Sequence, residues 1–153
     1  MVKVRVKVRP KMSNQARYVF NKMFKEDHCS QWMGIEPVLI DDGHCILKMK
    51  VKKDMLNGFG ILHGGIAYAF ADSAFAFAAN SYGRMSVSIN GSMNYSKSAH
   101  LGDKLVAEAK VISLNNKTAD FDVEIKNVNT DEKLYFFRGT VFRTTKDLLE
   151  TGV

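Results

Sequence analysis

The stretch Asn57-Gly58-Phe59-Gly60-Ile61-Leu62-His63-Gly64-Gly65-Ile66-Ala67-Tyr68-Ala69-Phe70-Ala71-Asp72-Ser73-Ala74-Phe75-Ala76-Phe77-Ala78-Ala79-Asn80 decides how the rest of the chain must be arranged. Residues 57–65 are glycine-rich and read as a loop. From Gly64 to Asn80, alanines at 67, 69, 71, 74, 76, 78 and 79 fill a helix, and Phe70, Phe75 and Phe77 project to different sides. A helix that is apolar nearly all round has to be wrapped by protein. It would be about 25 Å long.

The flanking sequence supplies the wrapping. Ser13 suits the cap of a helix running to about Asp27, with Ala16, Val19, Phe20, Met23 and Phe24 on one stripe and Arg17, Lys22 and Lys25 opposite. Residues 35–41 and 45–51 read as strands joined by the hairpin signal Asp42-Gly43. Beyond Asn80 the chain alternates to its end. Met85, Val87, Ile89, Met93 and Tyr95 interleave with serines and asparagines, and Leu105, Ala107, Ala109 and Val111 follow the same rule. Phe121, Val123 and Ile125 oppose Asp120, Asp122, Glu124 and Lys126, and residues 133–145 form a last strand around Phe136, Phe137, Val141 and Phe142. Strands of ten residues span about 33 Å, enough to lie along the helix. The expected class is α+β, a long antiparallel sheet curled around one central helix. We expect one domain over residues 13–153, preceded by a basic arm over residues 1–12.

Composition narrows the function. The 153 residues are 46% hydrophobic and 25% charged, which excludes disorder and coiled coil. The net charge of +6 is concentrated at the start: Lys3, Arg5, Lys7, Arg9 and Lys11 precede any acid, and the remaining 142 residues hold 17 basic against 16 acidic groups. The domain is therefore near neutral and lacks the charge of a nucleic-acid binder. Only Cys29 and Cys45 are present, with no metal-binding pair, so neither a disulfide scaffold nor a zinc site is expected, and the cytoplasm is the expected compartment. Residues 55–71 are uncharged but carry Asn57, His63 and four glycines, and they do not read as a membrane span.

The chemistry concentrates in the same stretch. Asp72 is the only charged side chain between Met55 and Gly83, and it sits too far into the helix to be a cap. Such a carboxylate is costly unless paired, hydrogen-bonded or protonated, and desolvation makes it a stronger base. The competing reading is an Asp satisfied by an arginine such as Arg84, or by backbone amides. His63-Gly64-Gly65 brings glycines to a helix start, where amides without intrahelical acceptors and the helix dipole suit a developing oxyanion. Asp72 lies about 13 Å along the helix from His63. One substrate reaches both only if two chains share a site across an interface.

Asn57, His63-Gly64-Gly65 and Ala71-Asp72-Ser73-Ala74-Phe75-Ala76 resemble the signature of the hotdog-fold acyl-CoA thioesterases, most closely the PaaI type of phenylacetate degradation. The resemblance runs through Leu101-Gly102-Asp103, Asp122-Val123-Glu124-Ile125 and Phe137-Arg138-Gly139, over residues 15–144. It implies a hotdog fold and cleavage of an acyl-CoA, an aromatic one by family, to the free acid and coenzyme A. It implies that Asp72 is the base or nucleophile, that the Gly64 amide polarises the thioester carbonyl, that Asn57 orients the target, and that His63 supports the loop. Gly65 and Ser88 are implied substrate contacts. Phe59, Leu62 and Phe75 are expected at the acyl group, and Lys97 and Lys117 at the coenzyme-A phosphates. No cofactor is implied beyond the coenzyme A of the substrate, and the partner is a second copy, as a dimer or dimer of dimers. The sequence departs from its relatives at Ser98, where a proline is common, and at Ala76, where some hold water with a threonine. A dehydratase of this fold would show a proline-rich approach to the helix, whereas this chain has only Pro10 and Pro37. A non-catalytic acyl-CoA-binding module is the alternative from another class.

Overall fold

The computed structural model describes residues 13–150, and the basic arm proposed for residues 1–12 lies outside them. Helix α1 (Asn14–Glu26) starts where expected, because the Ser13 hydroxyl accepts the Ala16 N–H at 3.2 Å. Its stripe packs inward, with Phe20 edge-on to Phe77 at 4.7 Å. A short helix, α2 (His28–Trp32), follows that the sequence reading missed, since five residues are too few to show a helical period. Strands β1 (Glu36–Asp41) and β2 (His44–Lys50) form the expected hairpin. Gly43 takes φ +64° at the turn, and a side chain there would run into the Tyr82 hydroxyl.

Helix α3 (Gly64–Asn80) has the bounds read from the sequence. Strands β3 (Arg84–Tyr95), β4 (Lys104–Leu114), β5 (Thr118–Asn127) and β6 (Lys133–Asp147) complete one antiparallel sheet in the order β1-β2-β4-β5-β6-β3. Phe70, Ala71, Ala74, Phe75 and Ala78 of α3 are fully buried against Leu47, Leu105, Ala107, Phe121 and Ile125. Small residues on the sheet let the helix approach. At Gly139 a Cβ would stand 2.8 Å from the Phe75 ring. Truncating one of these core phenylalanines to alanine costs about 3–5 kcal/mol.

The order of the strands was not legible beforehand. β3 leaves α3 and crosses to the far edge, where it pairs with β6 rather than with β4. Only its β6 side is covered by a strand, where Val87 lies opposite Phe142 and Tyr95 opposite Tyr135; the other side is open, and Ile89 is 60% exposed, with Val87 and Tyr95 exposed too. A bulge between Ser88 and Asn90 interrupts its register with β6. A twelve-residue edge with open backbone amides is a surface for pairing. Among the described residues no helix is long and apolar enough to cross a membrane.

Candidate active site

The loop before α3 is built by Asn57. Its side-chain oxygen accepts the N–H groups of Phe59 (2.9 Å) and Ile61 (3.3 Å), and its backbone N–H donates to the Ile61 carbonyl at 2.8 Å. Both bonds go to its oxygen, so among the described residues the Asn57 side-chain NH2 has no acceptor. The loop is tied down by Leu62 N–H to the Ala99 carbonyl and His63 N–H to the Met55 carbonyl, each at 2.9 Å.

His63 is the N-cap of α3. Its Nδ1 accepts the Gly65 N–H at 2.9 Å, so in the neutral ring the proton sits on Nε2. Its carbonyl accepts the N–H groups of Ile66 and Ala67. Of the four amides at the start of α3, Gly65, Ile66 and Ala67 are thus satisfied, and Gly64 N–H has no acceptor among the described residues. Tyr95 closes over that glycine, donating its hydroxyl to the Gly64 carbonyl at 3.2 Å. Asn57, Leu62, Gly64, Tyr95, Lys97 and Tyr135 share the wall of a cavity of about 230 Å³.

Asp72 lies two turns further along α3, half-buried on an open stripe with Gly65, Ala69 and Ala76. Among the described residues no hydrogen bond or ion pair holds its carboxylate. Arg84, the suspected partner, instead donates to the carbonyls of Thr144, Arg143 and Asn116 at 2.9–3.0 Å. Desolvation raises the Asp72 pKa from its ordinary value, and the negative charge of Asp27 raises it further. Gly64 and Asp72 are eight residues apart on one helix, roughly 12 Å.

The remaining predicted contacts are scattered. Phe59 is 90% exposed at the loop tip, Leu62 is buried beneath the loop, and Ser88 is exposed on β3 beside the bulge. Phe75 lies in the core, its ring 5.7 Å from Phe121 and 5.3 Å from Phe137. Gly65 has given its amide to His63. Lys97 pairs with Glu132 at 3.2 Å, at the end where its amide meets the Leu134 carbonyl. Lys117 accepts the Arg143 N–H at the other end of β6. Nine residues of strand separate those two anchors, roughly 30 Å, so the two lysines cannot meet one ligand within one chain. Sequence reasoning missed Tyr95 over Gly64 and the α2 cap at Asp27, although an Asp three residues before Ser30 was a visible capping signal.

The profile of the thioesterase superfamily matches residues 59–133, from the loop before α3 to the start of β6. A candidate esterase of Archaeoglobus fulgidus is 38% identical over 142 residues, 93% of this chain and 92% of its own. The acyl-coenzyme A thioesterase PaaI of Escherichia coli is 35% identical over 133 residues, covering 86% of this chain and 94% of its own. This chain belongs to the thioesterase superfamily. The fold is the hotdog fold, as the sequence led us to expect. The structure of the E. coli PaaI protein from the phenylacetic acid degradation operon superposes with a TM-score of 0.86 at 32% identity, over 89% of this chain and 98% of that one. A Streptococcus mutans protein bound to acetyl CoA superposes at 0.71 with 28% identity, over 74% and 90%. As a superfamily member the chain is a thioester hydrolase.

Proposed function

We propose that this thioesterase hydrolyses an acyl-CoA, with an arylacyl group as the first candidate, to the free acid and coenzyme A in a site shared by two copies of the chain. One observation carries the reading: a desolvated Asp72 and the Gly64 amide, both without a hydrogen-bond partner among the described residues, occupy one helix at a spacing no single thioester bridges. The names of the E. coli relative and the acetyl-CoA ligand of the S. mutans structure support the choice of substrate.

In this reading β3 pairs antiparallel with β3 of a second copy about a two-fold axis. That brings the Gly64 end of one chain to the Asp72 of the other, and the Lys97 end of one sheet to the Lys117 end of the other. The thioester oxygen accepts the Gly64 N–H at the positive end of α3, and the Asn57 NH2 orients the incoming water. The partner's Asp72 takes a proton from that water as its oxygen adds to the carbonyl carbon. The C–S bond then breaks, the proton held by Asp72 passes to the leaving sulfur, and the free acid and the coenzyme-A thiol are released with Asp72 ionised again. One positioned base contributes roughly 10²–10⁴-fold, and one oxyanion donor about 2.7–4 kcal/mol. Lys97 and Lys117 would meet the phosphates. Cys29 and Cys45 are both free thiols, in keeping with a cytoplasmic enzyme.

The test is thiol release from phenylacetyl-CoA and from a fatty acyl-CoA, wild type beside Asp72→Ala. Turnover by the wild type that is lost in a folded, dimeric variant supports the enzyme. Tight binding without thiol release by the wild type would mean a binding module instead.

A further inference from the structure

Asp72 is followed by Ser73, and that serine is not idle. Its Oγ lies 2.9 Å from the Oγ of Ser30 on α2, a residue with no exposed surface. Ser30 Oγ in turn lies 2.6 Å from Asp27 Oδ2, while Ser30 N–H donates to Asp27 Oδ1 at 2.9 Å. A carboxylate only accepts, so the single Ser30 hydroxyl proton goes to Asp27. Ser73 must then donate to Ser30, and the chain has one direction: Ser73 to Ser30 to Asp27. It ties the α1–α2 junction to α3 at the turn that carries Asp72.

Resting on the thioesterase reading, we propose that Asp27, working through Ser30 and Ser73, is a positioning residue for Asp72. The hydroxyl relay fixes the rotation of α3 at the Asp72 turn, and the second carboxylate sets the charge that Asp72 faces. Neither Asp27 nor Ser30 touches substrate in this arrangement. The groups that face Asp72 are few. From the α1–α2 junction comes Asp27, whose charge raises the Asp72 pKa after desolvation, and from its own helix comes Tyr68, one turn back. Tyr68 in turn faces Tyr95 of β3. No cation among the described residues is directed at Asp72. Ser73→Ala removes the relay and leaves the charge, so it is the control for any variant of Asp27.

Asp27→Asn keeps the cap through its side-chain oxygen and removes the charge, while its NH2 takes the place of Oδ2 and donates to Ser30, turning the relay round. The acid limb of the kcat/KM profile then moves to lower pH, and Asp27→Glu moves it back. Ser73→Ala breaks the relay and keeps the charge. There the acid limb stays in place while kcat falls by roughly tenfold or more with little change in KM, as expected for a misplaced base. Carboxyl-carbon NMR titration of Asp72 in the wild-type dimer and in Asp27→Asn reads the same effect without any substrate. An Asp72 titration that is unmoved in a folded Asp27→Asn dimer overturns the proposal. So does a Ser73→Ala enzyme with unchanged kcat. If no acyl-CoA is turned over by the wild type, the thioesterase reading fails, and the NMR comparison still decides the charge coupling.

Discussion

Gly64→Pro isolates the oxyanion donor with little disturbance to the fold. Proline at the first position of a helix deletes an amide that no helix carbonyl needs, and its φ suits that position. The residue before it must be extended, and His63 already is, at φ −60° and ψ 131°. The other amides of the turn keep their bonds to His63. A Cβ at this position stands 3.2 Å from Tyr95 Cε1, and the half-exposed Tyr95 ring can yield the few tenths of an ångström required. We therefore expect stability within about 1 kcal/mol of wild type. The loss of one oxyanion donor should lower kcat by roughly 10²–10³, equivalent to about 2.7–4 kcal/mol. Gly64→Ala meets Tyr95 in the same way but keeps the N–H, and should lose less than about tenfold. The assay is coenzyme-A thiol release at saturating acyl-CoA, with melting curves and light scattering on each variant. If the folded, dimeric proline enzyme turns over within about threefold of wild type, the Gly64 amide is not the donor and the reasoning fails.

Asp72→Asn should stabilise the chain. A carboxyl whose folded pKa is raised binds its proton more tightly folded than unfolded, where about 3.9 applies, so its ionised form destabilises the fold. That penalty is absent below about pH 4 and complete once the pH passes the raised folded value. The variant should melt above wild type at neutral pH, the two curves converging below about pH 4; a lower melting temperature at pH 7 would show that Asp72 has a stabilising partner. Ile89→Arg places a cation on the exposed edge β3, and light scattering should show monomers with turnover lost in parallel. An active monomer would contradict the shared site.

Much of this protein is set by local chemistry and was legible from residue order. The bounds of α3 follow from the His63 cap and an unbroken run of alanine and phenylalanine. Ser13 announced α1, and Asp42-Gly43 announced the β1–β2 turn, because caps and turns depend on a handful of adjacent atoms. The isolation of Asp72 among apolar residues was equally plain. What the order of residues could not tell is which groups from distant segments meet it. Arg84 was as good a partner on paper as none, until the β3 crossover carried it to the Asn116 and Thr144 carbonyls instead. The bond from Tyr95 to Gly64, the Ser30–Ser73 contact and the exposure of Ile89 on the outer edge depend on strand order and helix rotation. Those are long-range choices, made by the packing of the whole sheet on α3, and no local pattern encodes them.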